Sequence, residues 1–281
     1  MTSQVFDKRI CTLGEGPLWH PLREQLFWFD ILSMQLLTQR DSVGSEWQFE
    51  EYVSAAGWID KDQLLLASET GLYRFDILTG ARELVVELES NNVLTRSNDG
   101  RADPWGGFWI GTMGKNAELN AGAIYRFHKG ELRKVVSEIS ISNAICFSPD
   151  RTKGYFCDTK TARIMSVELN VDDGWPESDP QVFIDLSDQG LNPDGAVVDS
   201  DGCLWNAQWG AGRVARYAPN GNFMSAIDVD GSQTSCPAFG GPKMGSLFVT
   251  TAQDGLSGKG DGLTYQVETQ VVGQREHRVL L

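Results

Sequence analysis

Short apolar runs alternate with polar turns along the whole chain, and the pattern recurs in six rounds. Each round begins with a polar or small residue next to Gly, Ala or Pro. The six starts are Glu15-Gly16-Pro17, Ala56-Gly57-Trp58, Asn98-Asp99-Gly100, Asn143-Ala144-Ile145, Asp194-Gly195-Ala196 and Cys236-Pro237-Ala238. Successive starts lie roughly 41 to 51 residues apart, which is typical of a β-propeller blade made of four strands.

Two further strand-like runs follow the start of each round. The first is apolar, as in Leu26-Phe27-Trp28-Phe29, and the second alternates apolar and polar residues, as in Gly71-Leu72-Tyr73-Arg74-Phe75-Asp76. Clusters rich in Gly, Asp, Pro and Asn separate the runs, as in Ser148-Pro149-Asp150. No stretch has a helical period. The pattern therefore predicts an all-β, six-bladed β-propeller with four antiparallel strands per blade. It leaves the closure of the ring open, with Gln4-Val5-Phe6 a candidate strand to join the last blade beside Leu263–Val267.

Length and composition agree with this fold. Six rounds use nearly all of the 281 residues, which predicts a single domain over residues 1–281. The 9 Trp and 13 Phe suit the packing of one twisted sheet against the next. A net charge of −14 without a Lys/Arg cluster argues against nucleic acid or an anionic membrane as a partner.

The cysteines and the apolar runs bear on the cellular compartment. No CxxC pair occurs, and the five cysteines lie in or beside apolar runs, which predicts reduced, buried thiols; they are Cys11, Cys146, Cys157, Cys203 and Cys236. The first residues lack the apolar segment of a signal peptide, and about 18 consecutive apolar residues occur nowhere. A cytoplasmic protein is the expectation.

Four of the six round starts carry an oxygen donor: Glu15, Asn98, Asn143 and Asp194. A propeller places the same position of every blade at one height around its central channel, so these four side chains are expected to meet there. Carboxylate and amide oxygens suit Ca²⁺, Mg²⁺ or Mn²⁺. Each residue alone is an ordinary turn former. Their shared phase favours a metal site in the central channel.

Other familiar sites are not supported by the sequence. The three histidines, His20, His128 and His277, form no HExxH motif, and no Gly-x-Ser-x-Gly elbow supplies a serine nucleophile. We expect His20 to be a loop histidine, although a role near the substrate stays open. The glycine-rich run at 255–260 lacks the spacing of a phosphate-binding loop, and we expect it to be a flexible loop.

The sequence resembles the SMP-30/gluconolactonase/regucalcin group of six-bladed propeller lactonases. The matching motifs occur in the family's order over most of the chain: Gly14-Glu15-Gly16-Pro17-Leu18-Trp19, Arg96-Ser97-Asn98-Asp99-Gly100, Gly111-Thr112-Met113, Ile141-Ser142-Asn143-Ala144, Pro193-Asp194-Gly195 and Gly212-Arg213-Val214. Two other stretches, 111–118 and 236–239, look more like bacterial lactonases of the L-arabinolactonase kind than like animal regucalcin.

The resemblance implies one divalent metal ion (Ca, Zn, Mn or Mg) held by Glu15, Asn143 and Asp194. It also implies that Arg96 and Asn98 contact a sugar lactone, with Asn98 a substrate contact rather than a full metal ligand. A substrate-binding glutamate follows Gly-Thr-Met in the animal proteins. Strict counting puts Asn116 at that place, but we favour Glu118, two residues later, because a carboxylate can accept two sugar hydroxyl bonds.

The predicted function is hydrolysis of an aldonolactone (L-arabinono-, galactono-, glucono- or xylono-lactone) to its sugar acid by a metal-dependent carboxylic ester hydrolase. Asp194 is the candidate general base, because a carboxylate beside the attacking water can take its proton. Two alternatives remain: a non-catalytic calcium-binding regulator or scaffold, and a lactonase or phosphotriesterase of broad specificity.

Overall fold

The computed structural model describes residues 2–281, which form strands joined by turns. The strands are β1 (Gln4–Asp7), β2 (Gly14–His20), β3 (Gln25–Asp30), β4 (Gln35–Arg40), β5 (Val43–Gln48), β6 (Val53–Trp58), β7 (Gln63–Ser68), β8 (Gly71–Asp76), β9 (Arg82–Glu87), β10 (Thr95–Ala102), β11 (Phe108–Gly114), β12 (Gly122–His128), β13 (Glu131–Ile139), β14 (Ser142–Phe147), β15 (Lys153–Asp158), β16 (Arg163–Glu168), β17 (Gln181–Asp185), β18 (Asn192–Val198), β19 (Leu204–Trp209), β20 (Arg213–Tyr217), β21 (Phe223–Asp228), β22 (Gln233–Gly240), β23 (Ser246–Ala252) and β24 (Thr264–Glu268). Two short 3₁₀ turns occur at Thr159–Thr161 and Ser187–Gln189. None of the helical segments described is long and apolar enough to cross a membrane.

The strands form four antiparallel sheets of four strands and one sheet of eight. The four-stranded sheets are β2–β5, β6–β9, β10–β13 and β14–β17. In the large sheet, β18–β21 form one half and β22–β24 with β1 form the other, and the pair Trp209–Gln233 joins the halves. The prediction of an all-β, propeller-like set of antiparallel four-stranded units is confirmed.

The two ends of the chain meet in the large sheet. Strand β1 pairs with β24, with Gln4 opposite Gln266 and Val5 opposite Tyr265. The predicted place of Gln4–Phe6 beside residues 263–267 is therefore confirmed. The ring of Phe6 lies 4.9 Å from that of Phe248, so apolar packing supports the strand pairing.

Burial decreases from the first strand of each unit to the last. Every residue of β3 is buried, whereas β5 is mostly exposed. The core lies between neighbouring sheets, as where the ring of Trp47 meets that of Phe75 edge-on at 5.6 Å. The aromatic residues thus pack sheet against sheet, as the composition predicts.

The first strand of each unit carries a β-bulge at the same level. The pairing register shifts between Glu15 and Leu18, Val53 and Ala55, Ser97 and Gly100, Asn143 and Cys146, Pro193 and Ala196, and Thr234 and Cys236. A bulge turns a side chain out of the regular alternation of a strand. Two bulges use left-handed backbone, at Gly16 (φ 52°) and Ala144 (φ 57°).

Several local expectations need correction. In two units the extra residue of the bulge is Ser54 or Ser235, slightly before the predicted start of the round. His20 is the last residue of β2 and is fully buried, with Nε2 2.8 Å from the carbonyl oxygen of Asp60. The prediction of a loop histidine was wrong, because the apolar run continues through it. Residues 255–260 do lie outside the strands, and all five cysteines are buried and unpaired, as predicted.

Candidate active site

Buried carboxylates from different sheets approach one another at the bulges. Glu15 on β2 and Asp194 on β18 are 4% and 5% exposed. Burial, followed by the charge of Asp99, raises the pKa of Glu15 to about 8. Burial, followed by the charges of Glu15 and Asp99, raises the pKa of Asp194 well above its ordinary value. The fold therefore crowds acidic side chains at one place away from water, where their ionised forms are disfavoured.

The positive charge of Arg96 opposes these rises and partly lowers the pKa of both Glu15 and Asp194. Its guanidinium is buried, and Nη1 donates to Oδ1 of Asn98 at 2.8 Å and to the carbonyl oxygen of Ser97 at 2.9 Å. Desolvation lowers the pKa of Arg96 itself to about 10. The two predicted substrate contacts, Arg96 and Asn98, are therefore bonded to each other.

Hydrogen bonds between sheets fix the two asparagines. Asn98 Nδ2 donates to the carbonyl oxygen of Ser142 at 2.8 Å and to Oδ1 of Asn143 at 3.2 Å. Asn143 Nδ2 donates in turn to Oγ1 of Thr159 at 2.9 Å, and that hydroxyl donates to the carbonyl oxygen of Pro193 at 2.7 Å. The chain of bonds therefore runs from β10 to the strand that carries Asp194.

Asp99 is a site residue that the sequence analysis did not single out. Its Oδ2 accepts a 2.7 Å hydrogen bond from the backbone N–H of Ile145, and burial raises its pKa to about 6. In the sequence, the feature that could have pointed to Asp99 was its position next to Asn98 at the start of the third round. Its importance follows from contacts with other sheets, which no local pattern contains.

Glu118 and Asn116 lie together in the turn after β11. Oε2 of Glu118 accepts a 3.0 Å bond from the backbone N–H of Asn116, and Oε1 accepts a 3.0 Å bond from its side-chain amide. The neighbouring Lys115 forms an ion pair with Glu69 and lies 5.7 Å from the ring centre of Tyr52. The two candidates for the substrate contact are therefore hydrogen-bonded to each other, and the assignment of this contact to Glu118 stays a prediction.

The chemistry of Glu15, Asn143 and Asp194 fits a hard divalent cation. Buried carboxylates with raised pKa values are stabilised as anions when a cation lies among them, and an amide oxygen is an accepted partner ligand. Residues 2–281 contain no group of three or more His, Cys, Asp or Glu side chains placed to hold a metal. The predicted ligand set consists of two carboxylates, Glu15 and Asp194, and the amide of Asn143, so it differs from a group of three His, Cys, Asp or Glu side chains.

Known proteins are similar to this chain in sequence and fold. Residues 13–253 match the model of the SMP-30/Gluconolactonase/LRE-like region. An L-arabinolactonase from Azospirillum brasilense is 38% identical over 254 residues, covering 88% of this chain and 83% of that protein. A 6-deoxy-6-sulfogluconolactonase from Pseudomonas putida is 33% identical over 248 residues, covering 87% and 85%.

A solved structure supports the same assignment. The crystal structure of a calcium-binding protein, regucalcin, from Agrobacterium tumefaciens matches with a TM-score of 0.98 and 41% identity, covering 100% of this chain and 98% of that one. The chain belongs to the SMP-30/gluconolactonase family. The resemblance found in the motifs is confirmed, and so is the enzyme class, since the named lactonases are carboxylic ester hydrolases.

Proposed function

We propose that this protein is a metal-dependent sugar lactonase that hydrolyses an aldonolactone to the open sugar acid. The observation that carries the proposal is the convergence of Glu15 and Asp194 with the bonded amides of Asn98 and Asn143. The lactonases among the relatives support the reaction type.

The proposed architecture is a single propeller domain over residues 1–281 with six blades. Counting each half of the eight-stranded sheet as one blade gives this number, because one residue pair joins the halves whereas each half has its own continuous pairing. The bulge that recurs in all six first strands supports the count. The central channel would then hold the site.

In this proposal Glu15, Asn143 and Asp194 hold one divalent ion. When bound, such an ion polarises an ester carbonyl and makes water more acidic. The carboxylate of Asp194 accepts the proton of the attacking water and returns it to the ring oxygen as the lactone C–O bond breaks. The product is the hydroxy acid, with the ring oxygen now a hydroxyl group.

Arg96 and Asn98 orient the substrate. The guanidinium of Arg96 has N–H groups beyond the one that contacts Asn98, and it remains a cation at neutral pH because its pKa is lowered only to about 10. These N–H groups suit the hydroxyl and carbonyl oxygens of a sugar lactone. Glu118 would accept bonds from sugar hydroxyls after release of Asn116.

The polar lining favours a hydroxylated sugar over an acyl-lactone or an organophosphate. Charged and amide groups that stay unpaired against an apolar substrate cost free energy. Similarity to an L-arabinolactonase adds a pentonolactone to the candidates. Galactono-, glucono- and xylono-lactone complete the proposed range. We also propose a cytoplasmic location, because five buried, unpaired thiols suit a reducing compartment.

A pH-indicator assay of acid release tests the proposal. Chelated protein is mixed with L-arabinono-, D-galactono-, D-glucono- or D-xylono-lactone, with and without Ca²⁺, Mn²⁺ or Zn²⁺. Metal-dependent release above the spontaneous rate supports the lactonase, and the rates rank the sugars. Folded protein that releases no acid with any combination of lactone and metal ion would contradict the proposed lactonase function. Calcium binding without turnover would favour a non-catalytic calcium-binding protein; the Agrobacterium regucalcin is itself described as a calcium-binding protein.

A further inference from the structure

A segment after the last strand runs across several sheets. We call residues 271–280 the C-terminal strap. Its backbone and side-chain hydrogen bonds reach the second, third and fourth sheets and both halves of the large sheet. The contacts are Ser200 N to Val272 O, Gly273 N to Met244 O, Gln274 Nε2 to Phe147 O and Val198 O, Trp58 Nε1 to Glu276 O, Val279 N to Trp58 O and Leu280 N to Gly106 O.

The strap places one carboxylate against the third sheet. Glu276 forms an ion pair with Nη1 of Arg101, and the two side chains are only 7% and 11% exposed. Burying Arg101 costs free energy, and Glu276 is the largest effect that stabilises its charge. A cavity of about 30 Å³ beside the pair is lined by Arg101, Cys146, Gln274 and Glu276, among others. The strap therefore closes over a nearly filled interior.

Arg101 connects the strap to the candidate active site. It lies two residues after Asp99 on β10, directly beyond the bulge. Burial raises the pKa of Asp99, and Arg101 is the largest effect that opposes this rise. The guanidinium thus pairs with the strap carboxylate and acts on Asp99 at the site through its charge.

Asp99 in turn holds the bulge that presents Asn143. Its Oδ2 accepts a 2.7 Å hydrogen bond from the backbone N–H of Ile145. Ala144, which lies between Asn143 and Ile145, has a left-handed backbone with φ 57°. A non-glycine residue in that conformation is strained, so it needs support from its surroundings. The bond from Asp99 supplies that support across the boundary between two sheets.

We propose that Glu276 is a positioning residue of the active site, acting through Arg101 and Asp99 on the bulge that carries Asn143. The role in catalysis rests on the proposed lactonase function. The physical reason is competition for one cation. While Glu276 holds Arg101, Asp99 stays bonded to Ile145; without Glu276, the guanidinium pairs with Asp99 directly and weakens that bond.

The test compares Glu276→Gln with Val279→Ala. Val279 is a buried strap residue that packs against Phe108, so its truncation loosens the strap without removing the ion pair. Hydrogen–deuterium exchange of the backbone at 142–147 is measured on chelated protein, and kcat and KM on the metal-loaded protein. We expect about tenfold faster exchange and about tenfold lower kcat in Glu276→Gln, as for other groups that orient ligands. Val279→Ala should change neither.

A double variant separates competition for the cation from simple loss of the ion pair, and it serves as well if Glu276→Gln does not fold. Arg101→Met with Glu276→Met replaces the ion pair by apolar side chains, an exchange that buried pairs often tolerate. No guanidinium is then left to pair with Asp99, so exchange at 142–147 and kcat should stay at their wild-type values. A rise in exchange in the double variant, or equal exchange in wild type and Glu276→Gln, would overturn the proposal.

The two proposals fail separately. Exchange is measured without metal or lactone, so it tests the coupling of strap and bulge even when no lactone is hydrolysed. Faster exchange at 142–147 in Glu276→Gln, together with a wild-type protein that hydrolyses no lactone, would overturn the lactonase function but support the coupling of the strap to the bulge. Full activity in Glu276→Gln would overturn the positioning role and keep the lactonase.

Discussion

The side-chain amide of Asn98 donates a 3.2 Å hydrogen bond to Oδ1 of Asn143, joining the bulges of two neighbouring sheets. The first residue is a predicted substrate contact and the second a predicted metal ligand. An amide that donates to a ligand oxygen fixes its direction, much as outer hydrogen bonds do in other metal sites. The substrate and metal parts of the site are therefore built as one unit.

Asp194→Asn should abolish most turnover. An amide cannot take a proton from water, so kcat should fall by about 10²–10⁴-fold. The control is Asp188→Asn, an exposed residue in the nearby 3₁₀ turn. Both kcat and KM are measured on metal-loaded protein. A variant that keeps more than about a tenth of wild-type kcat would remove Asp194 from the role of base.

Glu15→Gln should weaken the metal. The substitution removes one of the two carboxylates in the predicted ligand set, and ligand charge largely sets the affinity for hard cations. We expect Mn²⁺ affinity to fall at least about tenfold, read from free Mn²⁺ by electron paramagnetic resonance. Glu50→Gln, an exposed change, is the control. Unchanged affinity would place the ion elsewhere.

Arg96→Lys should raise KM more than it lowers kcat. Lysine keeps the charge near Glu15 and Asp194 but loses the planar fork that contacts Asn98. A lost hydrogen bond to a charged group corresponds to a rise in KM of about tenfold or more. Michaelis curves at saturating metal measure the effect, with exposed Arg163→Lys alongside. A variant with normal KM would argue against substrate contact.

Asp103→Asn should destabilise the protein strongly. Asp103 forms a fully buried ion pair with Arg126 at 2.7 Å, and breaking such a pair costs about 3–5 kcal/mol. Asp185→Asn is the matched control, because it breaks a pair with Arg163 in which both side chains are largely exposed. Urea unfolding compares the two variants. Similar losses in both would mean that burial does not decide the effect.

His277 should make stability fall as the solution becomes acidic. Burial lowers the pKa of this strap histidine below its ordinary 6.5. Below pH 6.5 the unfolded chain binds a proton at His277, whereas the folded protein leaves the imidazole neutral. The free energy of unfolding is therefore unaffected by His277 above pH 6.5 and decreases as the pH falls below it. Urea unfolding at about pH 7.5 and 5.5 brackets the ordinary pKa of about 6.5. His277→Gln should lose less stability than wild type over this interval, and an equal loss would exclude His277.

The sequence determined the strands and their grouping. Apolar runs such as Leu26-Phe27-Trp28-Phe29 became buried strands, because alternation and turn residues are local properties. The shared phase of Glu15 and Asp194 was also visible, since equal spacing along the chain becomes equal height in a repeated fold. The family motifs then supplied roles for particular residues, which stay predictions.

Only the tertiary structure decided how the site is supported. Asp99 bonds Ile145 in another sheet, and Glu276 reaches Arg101 from 175 residues away in the chain. Neither partner can be read from spacing, because the contacts depend on which sheets become neighbours. His20 likewise appeared to be a loop residue until burial in β2 gave it a backbone partner at Asp60. Local patterns fix strands, whereas packing fixes which charges and hydrogen-bonding groups meet.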